Sequence, residues 1–282
     1  MSRLVLVATP IGNMSDISPR AIEELTGAGL VCCEDTRRTG MMLKNLGIEA
    51  TLMRVDEHTE HASIPRVLDA LNEGRDVCLV TDAGMPGISD PGERIVRAVS
   101  ETAHVVTAVP GPAAFVMALV ISGLPTERFA FDGFLPRGGQ ERGRSIADLV
   151  RERRTTVLYE APHRLQRTLE DLYVALGGDR RIVVARELTK IHEEVWRGTT
   201  ADAVTHFAGV EPKGEYVLVV EGAADEPAAT AEDIDRLLLA ELAAGVSVRD
   251  AATVVADLTG ATKKTVYNRA LELSKNSDDE RA

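Results

Sequence analysis

The sequence predicts an α/β protein with two sheet-containing domains, followed by a small helical domain. Short apolar runs alternate with helical patterns over residues 1–120, which favours a mostly parallel sheet. Over residues 121–224, strand-like runs follow one another with little helix between them, which favours a mixed or partly antiparallel sheet. Residues 232–278 hold three amphipathic helical patterns with short turns, after an Ala-rich and acidic stretch that is typical of a linker.

The strand-like runs of the first domain are 4–10, 30–35, 50–55, 76–84 and 105–111. Ser18 is predicted to be the N-cap of a helix, with Pro19 at its first position. Asp90, Pro91 and Glu93 have the pattern of another helix start, with Asp90 as the N-cap. Helical patterns over residues 41–47 and 64–74 complete the alternation that predicts the parallel sheet.

The strand-like runs of the second domain are 129–134, 155–162, 181–189, 193–199 and 215–222. One clear helical pattern, HRLQRTLEDLYVALGG, separates the second run from the third. Of the C-terminal helical patterns, the last two resemble a helix-turn-helix. A small bundle that only packs is the alternative, so this pattern leaves nucleic-acid binding open.

Composition narrows the classes of function. The chain has 282 residues, enough for a sizeable core, and 44% of them are hydrophobic. The net charge of −12 excludes a basic protein whose whole surface attracts nucleic acid, but not one with a local basic patch. The three cysteines, Cys32, Cys33 and Cys78, lie in apolar runs and are predicted to be buried thiols rather than a disulfide framework.

Several common site classes are also excluded. The uncharged stretch 105–126 is interrupted by Pro110, Gly111 and Pro112, which favours a strand, a loop and a buried helix over a membrane span. With no signal-peptide pattern at its start, the protein is predicted to be cytoplasmic. The sequence contains neither a P-loop nor a G-x-G-x-x-G fingerprint. His58 and His61 have acidic and polar neighbours, so we predict an exposed helix start and no metal.

Four loops follow predicted strands of the first domain, at residues 9–13, 34–38, 81–92 and 109–113. In an open α/β sheet, ligands bind outside the carboxyl ends of the strands. Three of these loops are rich in Gly and Pro, which hold fixed backbone shapes and let main-chain groups approach a ligand. The sequence therefore predicts a ligand site at this edge of the sheet.

These loops carry a resemblance. The segments in chain order are ATPIGN, EDTRRTG, VTDAGMPGISDPG, VPGPAA, YEAPHR, ARELTK and KGEYVLVVEG. Over roughly residues 3–275 they resemble the tetrapyrrole-methylase-like class of S-adenosyl-L-methionine enzymes, and within it the methyltransferases of small-subunit ribosomal RNA. The resemblance implies two α/β domains with the cofactor in the cleft between them, and a homodimer.

The same resemblance implies the reaction, the 2′-O-methylation of a cytidine in the decoding-centre region of 16S ribosomal RNA. The substrate would be naked RNA or the assembled 30S subunit. A tetrapyrrole-type small-molecule methyltransferase of the same fold is the alternative, and a non-enzymatic nucleotide-binding protein is a third hypothesis.

The resemblance further implies which residues bind the cofactor. In the first domain they are Pro10, Asp82, Ala83, Gly84, Met85, Pro86, Gly111, Pro112 and Ala113. In the second domain they are Tyr159, Glu160, Ala161 and Gly214. Asp82 either anchors a cofactor amine or hydroxyl by a charge-assisted hydrogen bond or serves only as a turn residue.

A ribose hydroxyl is a weak acid, so its methylation calls for a proton acceptor. The candidates are Glu187, Lys190 and Glu160, each with an ion pair at the domain interface as its alternative role. Lys190 serves only if burial lowers its pKa. For Asp35, Arg37 and Arg38, three roles stay open: RNA contact, ordering of the cofactor loop, and a dimer interface.

Local basic segments are the predicted contacts to RNA phosphate. One segment contains Arg137, Arg142, Arg144, Arg151, Arg153 and Arg154, with a flexible start and a helical end. A second, smaller basic face contains Lys263, Lys264 and Arg269. A solvated charged surface is the alternative reading of both.

Overall fold

The computed structural model describes residues 2–224 and 229–279, without the side chains of residues 275–279. The chain forms two compact units, residues 1–223 and residues 224–282. Both sheets lie in the first unit. The predicted linker falls partly on residues 225–228, which lie outside the described residues.

The first sheet contains five strands in the order β3-β2-β4-β1-β5, and every neighbouring pair is parallel. The strands are β1 (Arg3–Val7), β2 (Leu30–Cys33), β3 (Leu52–Arg54), β4 (Val77–Leu79) and β5 (Val105–Val109). Helices α1 (Pro19–Gly27), α2 (Thr36–Asn45), α3 (Glu60–Asn72) and α4 (Glu93–Ser100) alternate with them. Two buried apolar clusters contain side chains of this sheet. The predicted parallel sheet is confirmed.

The second sheet has the order β6-β7-β10-β8-β9. Its strands are β6 (Phe129–Phe134), β7 (Thr155–Glu160), β8 (Arg181–Arg186), β9 (Glu194–Thr199) and β10 (Tyr216–Val220). Only the β6–β7 pair is parallel, so the predicted mixed sheet is confirmed. The helices of this half are α5 (Ala114–Ser122), α6 (Gly139–Arg151), α7 (Leu165–Leu176) and α8 (Thr200–Phe207).

Two features of the second predicted domain differ from the predictions made from the sequence. Helix α8 was not predicted, because a helix of eight residues shows little periodicity. The predicted boundary at residue 120 lies inside α5, whose residues Ala118 and Leu119 share a buried cluster with Val157 and Val217 of the second sheet. Helix α5 thus packs with the second sheet rather than closing the first.

Helices α1 and α2 each begin on a side-chain cap of their own. Ser18 Oγ accepts from the Ala21 N–H at 3.1 Å, so the predicted cap of α1 is confirmed. Helix α2 begins at Thr36, earlier than its predicted start, because Asp35 Oδ1 accepts the N–H of Arg37 at 2.8 Å. Its first turn therefore belongs to the loop that follows β2.

The predicted N-cap at Asp90 is wrong, because α4 begins at Glu93 after the N-cap residue Gly92. The cap is the Glu60 carboxylate of α3, which is only 5% exposed. Glu60 Oε1 accepts the N–H groups of Gly92, Arg94 and Ile95 at 3.0, 2.8 and 3.3 Å. A carboxylate at a helix N-terminus also suits the helix dipole. This contact fixes the end of the long loop after β4.

The second unit contains α9 (Ala231–Ala243), α10 (Val248–Thr259) and α11 (Lys263–Asp279), as predicted. Their common core includes Leu238, Val255 and Val266. The Arg269 guanidinium donates to both oxygens of Asp235 at 2.7 and 2.6 Å, which joins α11 to α9. Arg269 therefore joins two helices of the bundle, while its side chain remains 43% exposed and has acidic partners on both helices.

The structure also bears on the cysteines, on membrane spans and on metal sites. All three cysteines are buried and free, and burial raises the pKa of Cys32 and Cys78 to about 12. In the described ranges, no helix is long and apolar enough to cross a bilayer. The same ranges hold no group of three His, Cys, Asp or Glu side chains with a metal-binding arrangement.

The cap on α4 gives a prediction about stability. Glu60→Ala leaves three buried or half-buried amide groups without their acceptor, so we expect the free energy of unfolding to fall by about 2 kcal/mol. Urea denaturation measures the change. Glu93→Ala is the control, because Glu93 is exposed in the first turn of the same helix. An equal loss in both variants would contradict the assignment.

Candidate active site

A cavity of about 430 Å³ opens at the carboxyl edge of the first sheet, against the second sheet. We call it the inner cavity. Its volume lies within the usual range for small-molecule sites. Its wall includes residues that follow β1, β2, β4 and β5, the end of β6, and residues of β7 and β10. This is the sheet edge at which the sequence predicts a ligand.

Most of the predicted cofactor-binding residues line this cavity. They are Asp82, Ala83, Gly84, Met85, Ala113, Tyr159, Glu160 and Ala161. The others are not in its wall: Pro10, Pro86, Gly111, Pro112 and Gly214. They lie in the turns next to wall residues, where they shape the backbone.

The glycines explain how loops from different strands come so close. Thr9 and Gly84 exchange two backbone hydrogen bonds, of 2.9 and 3.0 Å, which pair the loops after β1 and β4. Gly84 has φ +92°, a conformation that L side chains rarely adopt. A Cβ on Gly111 would lie 2.8 Å from Ala8 Cβ, so the loop after β5 also needs its glycine.

Aromatic side chains form one wall of the inner cavity, and of these the sequence predicted only Tyr159. Phe131 stacks on Phe115 at a ring distance of 4.4 Å and meets Tyr159 edge-on at 4.9 Å. Phe134 lies 5.6 Å from Tyr159. Phe115, Phe134 and Tyr159 line the cavity, yet Phe115 and Phe134 lie in ordinary apolar runs that carry no signal of a site.

The polar side of the cavity is strongly acidic. Glu34, Asp82, Asp90, Glu160 and Glu215 line it, against the single guanidinium of Arg38. Burial raises the pKa of Glu34 and of Asp90, and neighbouring carboxylates raise both further. Such a cavity favours cationic ligands and disfavours phosphate.

Asp82 ties two strand-end loops together. Its Oδ1 accepts the Asp35 N–H at 3.2 Å, and its Oδ2 pairs with Arg38 Nη1 at 3.3 Å. Asp82 therefore has a structural role between the loops after β2 and β4, beyond a local turn. It also lines the cavity, so a ligand has access to the same carboxylate.

Glu160 is held within the wall and does not suit a proton acceptor. Its carboxylate accepts from the Ala161 N–H at 2.8 Å and from Thr168 Oγ1 at 2.5 Å, and pairs with Arg164 Nε at 3.2 Å. Both oxygens thus have partners inside the protein. Glu160 fixes the turn that follows β7.

Arg142 belongs to the same network, and its predicted contact with RNA is wrong. It is 4% exposed, pairs with Asp171 at 2.7 Å and donates to Thr168 Oγ1 at 2.9 Å. Buried arginines need such partners. Arg142 therefore supports Glu160 from behind, and it is not available to a phosphate.

Lys190 is an ammonium ion shared by two carboxylates. Its Nζ lies 2.9 Å from Glu187 Oε1 and 2.8 Å from Glu215 Oε2. Burial by itself would lower the pKa of Lys190, but these hydrogen bonds raise it overall. The condition for Lys190 to act as a base is therefore not met. Burial likewise opposes ionisation of Glu187, but Lys190 and the Glu215 N–H lower its pKa overall.

Glu187 and Lys190 are not in the cavity wall; Glu215, their partner, is. Glu187 has φ +51°, and a Cβ on Gly214 would lie 2.5 Å from its side chain. The Asn13 N–H donates to Thr189 Oγ1 at 3.1 Å, so this turn packs on the loop after β1. The ARELTK segment is thus a joint between the two sheets through Thr189. The ion pairs of Lys190 with Glu187 and Glu215 lie within the second domain and do not cross the domain interface, as the alternative role had required.

A second depression, the outer groove, has a volume of about 410 Å³ and shares Glu34, Arg38 and Asp82 with the inner cavity. The rest of its lining is Asp35, Thr36, Arg37, Arg54 and Asp56. The side chains of Arg37, Arg38 and Arg54 are 89%, 71% and 68% exposed, and each pairs with a more buried aspartate. The aspartates orient the guanidiniums, whose remaining N–H groups face solvent.

The other predicted RNA contacts are solvent-facing. Arg137, Arg144, Arg151, Arg153 and Arg154 are exposed in or beside α6, and Arg154 pairs with Glu152 at 2.6 Å. Helix α6 begins at Gly139, so part of the segment expected to be flexible is helical. Lys263 and Lys264 are exposed at the start of α11, and Lys263 lies 3.6 Å from Asp257.

The fold and the cavity define a class of methyltransferase. Residues 3–204 match the family model of the tetrapyrrole (corrin/porphyrin) methylases, and residues 228–274 match that of the RsmI C-terminal HTH domain. The crystal structure of the methyltransferase CobJ superposes with a TM-score of 0.61 at 19% identity, covering 80% of this chain and 97% of that one. At that identity the likeness concerns the fold alone.

Curated relatives narrow the class. The chain is 42% identical to ribosomal RNA small subunit methyltransferase I of Synechocystis sp., over 97% of this chain and 99% of that protein. It is 44% identical to the protein of the same name in Xylella fastidiosa, over 94% of this chain and 97% of that protein. The chain therefore belongs to the ribosomal RNA small subunit methyltransferase I family, within the tetrapyrrole methylases.

The joint around Lys190 gives a pH-dependent prediction. Lys190→Met removes the partner that lowers the pKa of Glu187, so we expect a loss of about 1–2 kcal/mol at neutral pH. A carboxylate with a lowered pKa stabilises the fold above its unfolded pKa and ceases to do so as pH falls through its folded pKa. The difference from wild type should therefore shrink below the ordinary range of glutamate.

Urea denaturation across pH 3–7 measures this difference. Lys213→Met is the matched control, because Lys213 forms an exposed pair with Glu211 and should cost less than about 0.5 kcal/mol. A loss for Lys190→Met that does not change with pH would contradict the pairing with ionised Glu187.

Proposed function

We propose that the protein transfers a methyl group from S-adenosyl-L-methionine to the 2′-hydroxyl of a cytidine in the decoding-centre region of 16S ribosomal RNA. The observation that carries the proposal is the junction of an acidic inner cavity with a guanidinium-lined outer groove through Glu34, Arg38 and Asp82. The near-full-length similarity to ribosomal RNA methyltransferases supports ribosomal RNA as the substrate.

The inner cavity suits the proposed cofactor. S-adenosyl-L-methionine supplies a methyl group already activated on a sulfonium. Ala83, Gly84 and Met85 offer main-chain groups on one wall, and Tyr159 and Phe115 offer apolar surface on another. The carboxylates, Asp82 among them, match the positive charge of a sulfonium and an ammonium. We therefore keep the residues of the wall as the proposed cofactor site.

The acceptor RNA is expected to bind at the outer groove, whose exposed groups are guanidiniums rather than carboxylates. Phosphate is disfavoured in a cavity lined by carboxylates, so the backbone stays outside and only the reacting nucleoside reaches inward. The exposed guanidiniums of Arg37, Arg38 and Arg54 offer phosphate contacts at the outer groove. The exposed arginines of α6, together with Lys263 and Lys264, are proposed as further contacts. This arrangement positions the hydroxyl and the methyl group for direct transfer.

A small-molecule methyltransferase of the tetrapyrrole type is the second candidate, because solved structures of such enzymes share the fold. A tetrapyrrole substrate would need neither the three exposed arginines nor a C-terminal unit that matches a helix-turn-helix model. These two features favour RNA.

We also propose a homodimer in the cytoplasm. Val116 and Val120 are exposed on α5, and Phe129 is exposed on the edge strand β6, which supports an apolar contact between copies. Ribosomal RNA as substrate supports the cytoplasm, and either naked RNA or the assembled 30S subunit would be met there.

Methyl transfer tests the proposal directly. The protein is incubated with labelled S-adenosyl-L-methionine and 30S subunits that lack the modification, with naked 16S RNA in parallel, and the methyl group is mapped. We expect one 2′-O-methylcytidine in the decoding region. Asp82→Ala should weaken cofactor binding in calorimetry, while Asp69→Ala, away from the cavity wall, should not. Cofactor binding with no transfer to either RNA would contradict the proposal.

The α6 arginines give a prediction about salt dependence. Replacing Arg137, Arg144 and Arg151 with Ser should weaken RNA binding and reduce the slope of log affinity against log salt by about 0.7–0.9 for each lost phosphate contact. Filter binding between 50 and 300 mM salt measures the slope. Arg97→Ser, an exposed arginine of α4, is the control. An unchanged slope in the triple variant would place the RNA elsewhere.

A further inference from the structure

We propose that the Glu34 carboxylate accepts the proton of the ribose hydroxyl during methyl transfer. The inference rests on the proposed function, because it needs a hydroxyl as the acceptor group. Glu34 is not among the proton acceptors that the sequence suggests.

The first argument is elimination among the carboxylates of the inner cavity. Asp82 is held by Asp35 and Arg38, Glu160 by three donors of its own wall, and Glu215 by Lys190. Over the described part of the chain, the Glu34 side chain makes no hydrogen bond and no ion pair within 4 Å, although it lines the cavity. Its oxygens are available to a ligand.

The second argument is position. Glu34 lies directly after β2, at the carboxyl edge of the first sheet, and lines both the inner cavity and the outer groove. Asp90 lines only the inner cavity. A methyl donor inside and an RNA strand outside meet at the junction, so the reacting hydroxyl comes closest to Glu34, Arg38 and Asp82. Of these, only Glu34 is a carboxylate without a partner.

The third argument is electrostatic. Glu34 is half-buried, and burial is the largest cause that raises its pKa. The carboxylates of Asp90, Asp82 and Asp56 raise this pKa further, while the Arg38 guanidinium lowers it. The net shift is upward. A base with a raised pKa takes a proton more readily. The same carboxylates favour the cationic methyl donor next to it.

The proposed step balances. The hydroxyl proton passes to a Glu34 oxygen as the hydroxyl oxygen bonds to the methyl carbon of the sulfonium donor. The bond between that carbon and sulfur breaks, and its electron pair stays on sulfur. The products are a methyl ether, a neutral thioether and the Glu34 carboxylic acid, which then releases its proton to water.

The test is Glu34→Gln, which keeps the size of the side chain and removes the acceptor. We expect the single-turnover rate at pH 7.5 to fall about 100-fold or more. The wild-type rate should rise with pH through the Glu34 pKa, and the variant should lose that rise. Glu34→Asp should retain it at a lower rate. Glu93→Gln, exposed on α4, is the control.

Two readouts do not depend on activity. Calorimetry should give Glu34→Gln an affinity for S-adenosyl-L-homocysteine within about threefold of wild type. Carbon NMR of glutamate-labelled, cofactor-free protein, assigned by the Glu34→Gln difference, should show a pKa above the ordinary glutamate value. Asp90→Asn should lower that pKa. In the separate activity assay, the same variant should move the rise in rate to lower pH.

The outcomes separate this inference from the proposed function. A Glu34→Gln variant that binds the product and keeps a rate near wild type, or keeps the rise with pH, overturns the inference while the function stands. A normal pKa for Glu34 that does not respond to Asp90→Asn also contradicts it. If wild-type protein transfers no methyl group to RNA, the proposed function fails and the inference falls with it.

Discussion

The cleft depends on the turn after β8, which packs on the loop after β1 and is itself braced by the Lys190 ammonium that Glu187 and Glu215 share. The two carboxylates bring the turn after β8 and the start of β10 together, and Thr189 of that turn binds the Asn13 N–H in the loop after β1. Any Cβ at position 12 would overlap this turn, so close approach of the two sheets depends on Gly12. The inner cavity lies between the sheets that this joint holds.

The charges around the cleft favour different ligands in its two parts, the methyl donor in the inner cavity and RNA at the outer groove. The inner cavity is negative because its carboxylates outnumber its one guanidinium, that of Arg38. At the outer groove, aspartates hold arginine side chains that face solvent. A cationic methyl donor is favoured inside and a phosphate backbone outside. Specificity for RNA therefore does not need a basic protein, which reconciles the net charge of −12 with the proposed substrate.

Much of this could be predicted from the sequence. Alternating apolar runs give both sheets, because strand burial is a local pattern, and the Gly- and Pro-rich loops mark the ligand edge. What the sequence cannot show is which charged groups meet across the fold. Glu60 caps a helix 32 residues later in the chain, Arg142 turns inward to Thr168, and Lys190 is neutralised by carboxylates from two segments. The sequence also gives no sign that the Glu34 carboxylate lacks a hydrogen-bond partner, because that depends on which side chains lie near it in the fold.

The central claim is that an RNA hydroxyl meets the methyl donor at the junction of cavity and groove. The most direct measurement is a structure of the protein bound to a 30S subunit and a non-reactive analogue of the methyl donor. The account predicts the analogue in the inner cavity and a ribose 2′-oxygen about 2.6–3.2 Å from a Glu34 oxygen. A 2′-oxygen placed beside Glu187 or Lys190, or an analogue outside the inner cavity, would contradict it.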